Sequence, residues 1–216
     1  PILTQAGPIG LAGLLGAIML NTDTIMLGWW RTPAEVGLYG AAQRIVLLLY
    51  LLPGFVGLAP FPALARFARE NAARVRSLLE RSLRAAVLIA LPVSLGGIIV
   101  APELVRLLYG APYAPAVPAL QLLLVPLPAT FVGFICMNGV FAYRDQRYLI
   151  PSSIGGAAVN VILNALFIPS LGIAGAAAAT VISQIRVATM NGLTLRRRSR
   201  YRILGAGAKA RSDTLD

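Results

Sequence analysis

Residues 148–185 read YLIPSSIGGAAVNVILNALFIPSLGIAGAAAATVISQI, with no Asp, Glu, Lys or Arg anywhere in the run. A helix takes roughly 20 mostly apolar residues to cross ~30 Å of hydrocarbon, so the run is long enough for two crossings. Ile168-Pro169-Ser170-Leu171-Gly172 divides it. Proline gives up a backbone N–H and glycine ends helices, so the chain turns there and comes back. The stretch predicts two antiparallel spans, about 148–167 and 172–194, joined by an uncharged turn.

The same test applied outward finds four more spans. Residues 1–22, 45–65, 85–102 and 107–143 are also free of Asp, Glu, Lys and Arg. Beyond residue 22, Asp23 interrupts an apolar character that resumes to Trp30, and 107–143 is too long for one crossing. The expected spans are therefore about 5–30, 36–62, 84–102, 116–142, 148–167 and 172–194. The fold class is all-α, a polytopic membrane helix bundle. Composition agrees: 57 % of the 216 residues are AVILMFWYC and 12 % are charged, against about 25 % charged in soluble domains. A soluble chain leaves about a third of its unfolded surface wet after folding and has no use for so much apolar area. A soluble enzyme or binding module is excluded.

The net charge of +11, from 19 Lys+Arg and 8 Asp+Glu, has the sign of a nucleic-acid binder. Its distribution points elsewhere. Connections one to five and the tail hold 1, 6, 1, 2, 0 and 7 basic residues. The rich ones lie on one side of a six-span chain, which is the positive-inside pattern. Both ends are expected in the cytoplasm, and no nucleic-acid partner is expected. Arg66, Arg69, Arg74, Arg76, Arg81 and Arg84 alternate with Val75, Leu78 and Leu79, so 66–84 reads as an amphipathic helix on the inner surface, leading into the next span. The tail, 196–216, opens on Arg196, Arg197, Arg198, Arg200 and Arg202. It reads as a basic cytoplasmic segment attracted to anionic lipid and unstructured beyond.

The chain has no histidine and one cysteine, Cys136. That excludes an internal disulfide and His-based triads, and leaves no His/Cys metal site or cofactor to expect. Pro1 stands where a Met would, so a longer chain is expected upstream. The opening apolar stretch lacks the basic region of a signal peptide.

Few charges fall inside the spans. Asp23 lies about ten residues before the turn near Pro33, and Arg44 about eleven after it. At 1.5 Å per residue both sit ~15 Å below the outer surface, where a charge costs at least ~2.5–3.5 kcal/mol. Two arrangements answer that cost. Asp23 and Arg44 pair and pin the hairpin, or both line a polar cavity that meets an anionic or zwitterionic substrate or a coupling ion. Asn21 and Gln43 flank the same depth, and Arg186 lies about ten residues before the arginine cluster. Asp23, Arg44, Asn21, Gln43 and Arg186 are the candidate substrate-binding residues. Asn160 and Asn164 share one helix face, and with Gln121 and Asn138 they read as interhelical hydrogen-bond formers. Pro53, Pro60, Pro92, Pro126 and Pro128 fall in or near spans and are expected to kink them.

The runs Asn21-Thr-Asp23-Thr-Ile-Met-Leu27-Gly28 and Val36-Gly37-Leu38-Tyr39-Gly-Ala-Ala-Gln43-Arg44 resemble the second half of Wzx-like lipid-linked oligosaccharide flippases. These belong to the multidrug/oligosaccharidyl-lipid/polysaccharide exporter superfamily. Phe61-Pro62, Leu108-Tyr109-Gly110 with Tyr113, Asn160 with Asn164 before Ile168-Pro169, and Gly172 to Thr180 followed by Gln184 extend the likeness over about residues 1–195. The resemblance implies one lobe of a two-lobed transporter whose lobes rock around a central cavity. It implies a missing N-terminal lobe or a second chain as partner. It places the protein in the bacterial inner membrane among membrane lipids. The implied cargo is an undecaprenyl-diphosphate-linked oligosaccharide for surface polysaccharide such as O-antigen or exopolysaccharide. Charged cavity residues would meet the pyrophosphate and sugars, Asp23 and Arg44 first and Arg186 after them. Alternatives are a same-fold exporter of another cargo, either drugs by cation coupling or a peptidoglycan precursor, and a membrane scaffold without transport. A membrane-embedded transferase is disfavoured, because five of the eight acids lie in connections and two in the tail.

Overall fold

The computed structural model describes residues 21–143 and 149–212, and among these there are helices and no strand. Most of the first expected span lies outside the described residues, as do Arg144, Asp145 and Arg147. Its described end, 21–30, is helical and is called α1. There follow α2 (Pro33–Leu49), α3 (Leu51–Leu58), α4 (Phe61–Glu70), α5 (Ala72–Tyr109), a 3₁₀ turn (Ala111–Ala116), α6 (Val117–Leu124), α7 (Leu127–Ala142), α8 (Ile150–Leu171) and α9 (Ile173–Ser212).

Four stretches are each long and apolar enough to cross a membrane: Pro33–Ala68, Ala73–Tyr109, Ile150–Leu171 and Ile173–Arg197. A fifth is the pair Ala111–Leu124 and Leu127–Ala142, bent by 41°. Large apolar side chains such as Leu48, Phe55, Leu88, Ile99 and Leu166 face outward. Those faces suit hydrocarbon as solvent.

The ends of the helices follow local chemistry. Thr32 caps α2 through a capping box with Glu35, and Pro33 starts the helix with φ already set. The Asn71 carboxamide oxygen accepts from the Ala73 and Arg74 N–H groups, at 3.0 and 3.1 Å, and starts α5. Gly172 has φ +59° between α8 and α9, a conformation that glycine adopts without strain. The uncharged hairpin turns there, and Arg31 grips it. The Arg31 guanidinium donates to the Ile168 oxygen at 2.9–3.0 Å and to the Pro169 oxygen at 2.9 Å. A cation thus sits on the negative end of α8.

Two expectations change. The stretch 66–84 is divided at Asn71: α4 ends at Glu70, and the arginines from Arg74 to Arg84 ride on the first turns of α5, which lead on into the span. At 38 residues, α5 is about 57 Å long, well beyond the hydrocarbon thickness, and its basic turns extend past it. The tail expected to be unstructured continues α9 as helix through the arginines to Ser212.

Two apolar clusters fill the bundle. One gathers Leu27, Tyr39, Val105, Leu120 and Ile168, and the other Leu64, Val75, Phe131, Ile135 and Val140. Small residues let helices touch. A Cβ on Gly133 would sit 3.1 Å from that of Ala188, and one on Gly175 would sit 2.5 Å from the Phe167 oxygen. Gly156 admits Val187 in the same way. Close approach of this kind is the usual means of helix association in lipid.

Two of the prolines are clasped. Pro102 in α5 has no N–H for the Ile98 oxygen one turn earlier, and the Gln121 amide of α6 donates to that oxygen at 3.0 Å. Pro128 in α7 likewise frees the Leu124 oxygen, and Ser94 of α5 donates to it at 2.8 Å. These two orphaned carbonyls are thus satisfied from the facing helix, as a dry interior demands.

Candidate functional site

Asp23 is buried, with 7 % of its surface exposed. Its carboxylate accepts three hydrogen bonds: from the Tyr39 hydroxyl at 2.8 Å, the Asn164 amide at 2.6 Å and the Thr180 hydroxyl at 2.5 Å. The donors come from α2, α8 and α9, so one carboxylate on α1 ties the first hairpin to the last. The Asn164 amide also donates to the Asn160 oxygen at 3.1 Å, and its own Oδ1 is buried without a partner among the described residues. The cluster therefore brings one acid together with neutral oxygens, and among the described residues no basic side chain pairs with Asp23.

Arg44 lies elsewhere. Tyr39, Ala42 and Val46 face the interior of α2, whereas Gly37, Arg44 and Leu48 lie on its outward stripe. Among the described residues Arg44 has no hydrogen bond and no ion pair; the ion pairs found are Arg31–Glu35 and Arg76–Glu80. The alternative in which Asp23 and Arg44 pair is corrected. Equal depth on adjacent helices does not fix facing, because 3.6 residues per turn sends Arg44 away from the side that carries Tyr39.

Gln43 is half-buried and accepts from the Thr24 hydroxyl at 3.0 Å. Asn21 is exposed on α1. Arg186 is half-buried at the α8–α9 contact, its guanidinium donating to the Ser152 oxygen at 3.4 Å. Ser152 is twelve residues from Asn164 in sequence, or about 18 Å along α8, so Arg186 is remote from the Asp23 cluster. Of the five candidates, then, Asp23 is enclosed, Arg44 faces outward and Arg186 is elsewhere. Tyr39 and Thr180 belong to the cluster and were not singled out from sequence as its members. The signal available was a hydroxyl inside a span, which is too common to be specific. Among the described residues no group of three His, Cys, Asp or Glu gathers to hold a metal ion.

The arrangement matches known membrane proteins. Residues 32–210 match the family model described as lipid II flippase MurJ. The chain is 29 % identical over 169 residues to the probable flippase AglR of Haloferax volcanii, covering 74 % of this chain and 34 % of that protein. It is 25 % identical over 162 residues to the probable low-salt glycan biosynthesis flippase Agl15 of the same organism, again covering 34 % of it. The chain thus spans about a third of the curated relatives it matches. A structure of lipid II flippase MurJ in an inward closed conformation superposes with TM-score 0.74 at 18 % identity, over 90 % of this chain and 42 % of that one. A MATE transporter in the bent conformation superposes with TM-score 0.73 at 17 % identity, over 81 % and 40 %. These two likenesses establish the fold. The sequence resemblance to Wzx-like flippases thus holds at the level of lipid flippases and their fold, while the family found is the one expected as an alternative. With 32–210 of 216 residues matched, the chain belongs to the lipid II flippase MurJ family.

Proposed function

We propose that the complete protein flips a polyprenyl-diphosphate-linked glycan across the cytoplasmic membrane, with this chain as its C-terminal lobe and Arg44 as the group that meets the diphosphate. The observation that supports this most is the placement of Arg44. A guanidinium in the membrane without a counter-charge is costly, and the cost falls when its face borders a water-filled path between two lobes. Guanidinium also matches phosphate oxygens in a planar, bidentate way that a lysine ammonium does not. The cargo proposed first is an undecaprenyl-diphosphate-linked oligosaccharide for surface polysaccharide. The family match favours a second reading, the peptidoglycan precursor lipid II.

The Asp23 cluster is the proposed place for a coupling ion. Among the described residues no basic side chain neutralises Asp23, so its charge is open to a passing cation. One acid among neutral oxygens suits a proton or a singly charged ion better than a divalent one.

The test is made in the full-length protein, by glycan translocation into proteoliposomes at matched protein level. Arg44→Gln is expected to lower translocation at least about tenfold, the worth of one charge-assisted contact, with Arg44→Lys between it and wild type. Translocation by Arg44→Gln equal to wild type would remove Arg44 from the path. Supplying lipid II or an oligosaccharide-linked lipid as cargo separates the two readings.

A further inference from the structure

Arg186 is the in-span charge that neither the Asp23 cluster nor the outward stripe of α2 accounts for. Val187 packs on Gly156, and Asn191 receives a hydrogen bond from the Ser152 hydroxyl at 3.1 Å. Those contacts put the Arg186 backbone level with about residue 157 of α8. Its guanidinium nonetheless reaches Ser152, about five residues or ~7 Å toward the start of α8. The side chain therefore runs toward the arginine-rich end of the bundle, as a snorkelling arginine does. Gly155 makes this course possible, because a side chain there would collide with the guanidinium. No carboxylate balances the charge among the described residues, and of five N–H donors one is used, at 3.4 Å.

On the adjoining strip of α8, Ile154, Ala157, Ala158, Val161 and Ile162 line a shallow apolar groove open to the outside. Ile154, Val161 and Ile162 are exposed, and the small side chains of Ala157 and Ala158 leave room between them. The groove starts beside the guanidinium and runs about 12 Å away from the arginine-rich end, into the hydrocarbon. A cation at headgroup level above an apolar furrow has the polarity of a lipid molecule.

We propose that this face holds one anionic phospholipid of the leaflet at the arginine-rich end, its phosphate on Arg186 and an acyl chain in the Ile154–Ile162 groove. The site lies on the outer surface of the α8–α9 hairpin, away from Arg44 and Asp23, so it is a lipid site apart from the proposed transport path.

The test is native mass spectrometry of the full-length protein, released from micelles doped with phosphatidylglycerol or with phosphatidylcholine. Wild type is expected to retain phosphatidylglycerol about fivefold better than phosphatidylcholine, the advantage of one basic residue near an anionic headgroup. Arg186→Gln is expected to lose that preference and Arg186→Lys to keep most of it. Ala158→Trp, which fills the groove and leaves the charge, is expected to lower retention of both lipids. Unchanged melting of each variant in phosphatidylcholine verifies folding. If Arg186→Gln does not fold, Ala158→Trp decides: undiminished phosphatidylglycerol retention overturns the site. Equal retention of the two lipids by wild type overturns it as well. So does displacement of phosphatidylglycerol by equimolar undecaprenyl phosphate, which would assign the groove to a polyprenyl lipid.

Discussion

Asp23 organises the helix bundle at the scale of single residues. Three donors from three helices converge on it. Asp23→Ala would leave two hydroxyls and an amide facing an apolar gap, at a cost of about 2–4 kcal/mol. Asp23→Asn retains an acceptor oxygen and is expected to cost less. Thermal melting of the full-length protein in detergent reads both, and wild-type melting of the alanine variant would refute the clasp. The sequence shows the acid and its depth, because a lone charge in an apolar run is conspicuous. It does not show the partners. Arg44 was the natural choice on hairpin geometry, yet Asn164 and Thr180 stand 141 and 157 residues away. Their approach depends on how the first hairpin packs on the last, which no local pattern encodes.

Among the elements, α5 and α6 brace each other's carbonyls, Gln121 donating to Ile98 and Ser94 to Leu124. Gln121→Leu is expected to cost about 1 kcal/mol by stranding the Ile98 carbonyl. In a Pro102→Ala background the restored N–H of residue 102 meets that carbonyl, so the same change is expected to cost nearly nothing. A double-mutant cycle on melting measures the coupling, and equal costs in the two backgrounds would show that the contact is incidental. Sequence marks prolines as sites of bending, and the 41° bend between α6 and α7 fits. What it leaves out is that neighbouring side chains hold the freed carbonyls, which makes these bends braced corners. The break at Gly172 was readable in advance, since Pro169 and Gly172 act locally. The course of 66–84 was not, because an arginine-rich amphipathic pattern serves a helix on the surface and the projecting end of a span equally well.

On the scale of the whole molecule, the distribution of charge predicts orientation. The native Cys136 is buried, so single engineered cysteines report cleanly. Thr32→Cys, at the α1–α2 turn, is expected to react with a membrane-impermeant maleimide added outside intact cells. Arg76→Cys, on the exposed start of α5, is expected to react only after permeabilisation. The opposite pattern would invert the topology. The spans were readable because hydrocarbon imposes length and polarity on each helix separately, whereas the way the helices face one another is a collective outcome. The Asp23 clasp carries a further consequence, for biosynthesis. At ~5–20 residues per second, the ribosome delivers Asp23 about 7–30 s before Asn164 and Thr180. During that interval the carboxylate has no companion of its own chain from the last hairpin. The emerging bundle is obliged to keep its first hairpin loosely seated, near water or in the care of the insertion machinery, until the last hairpin arrives and closes the ring around it.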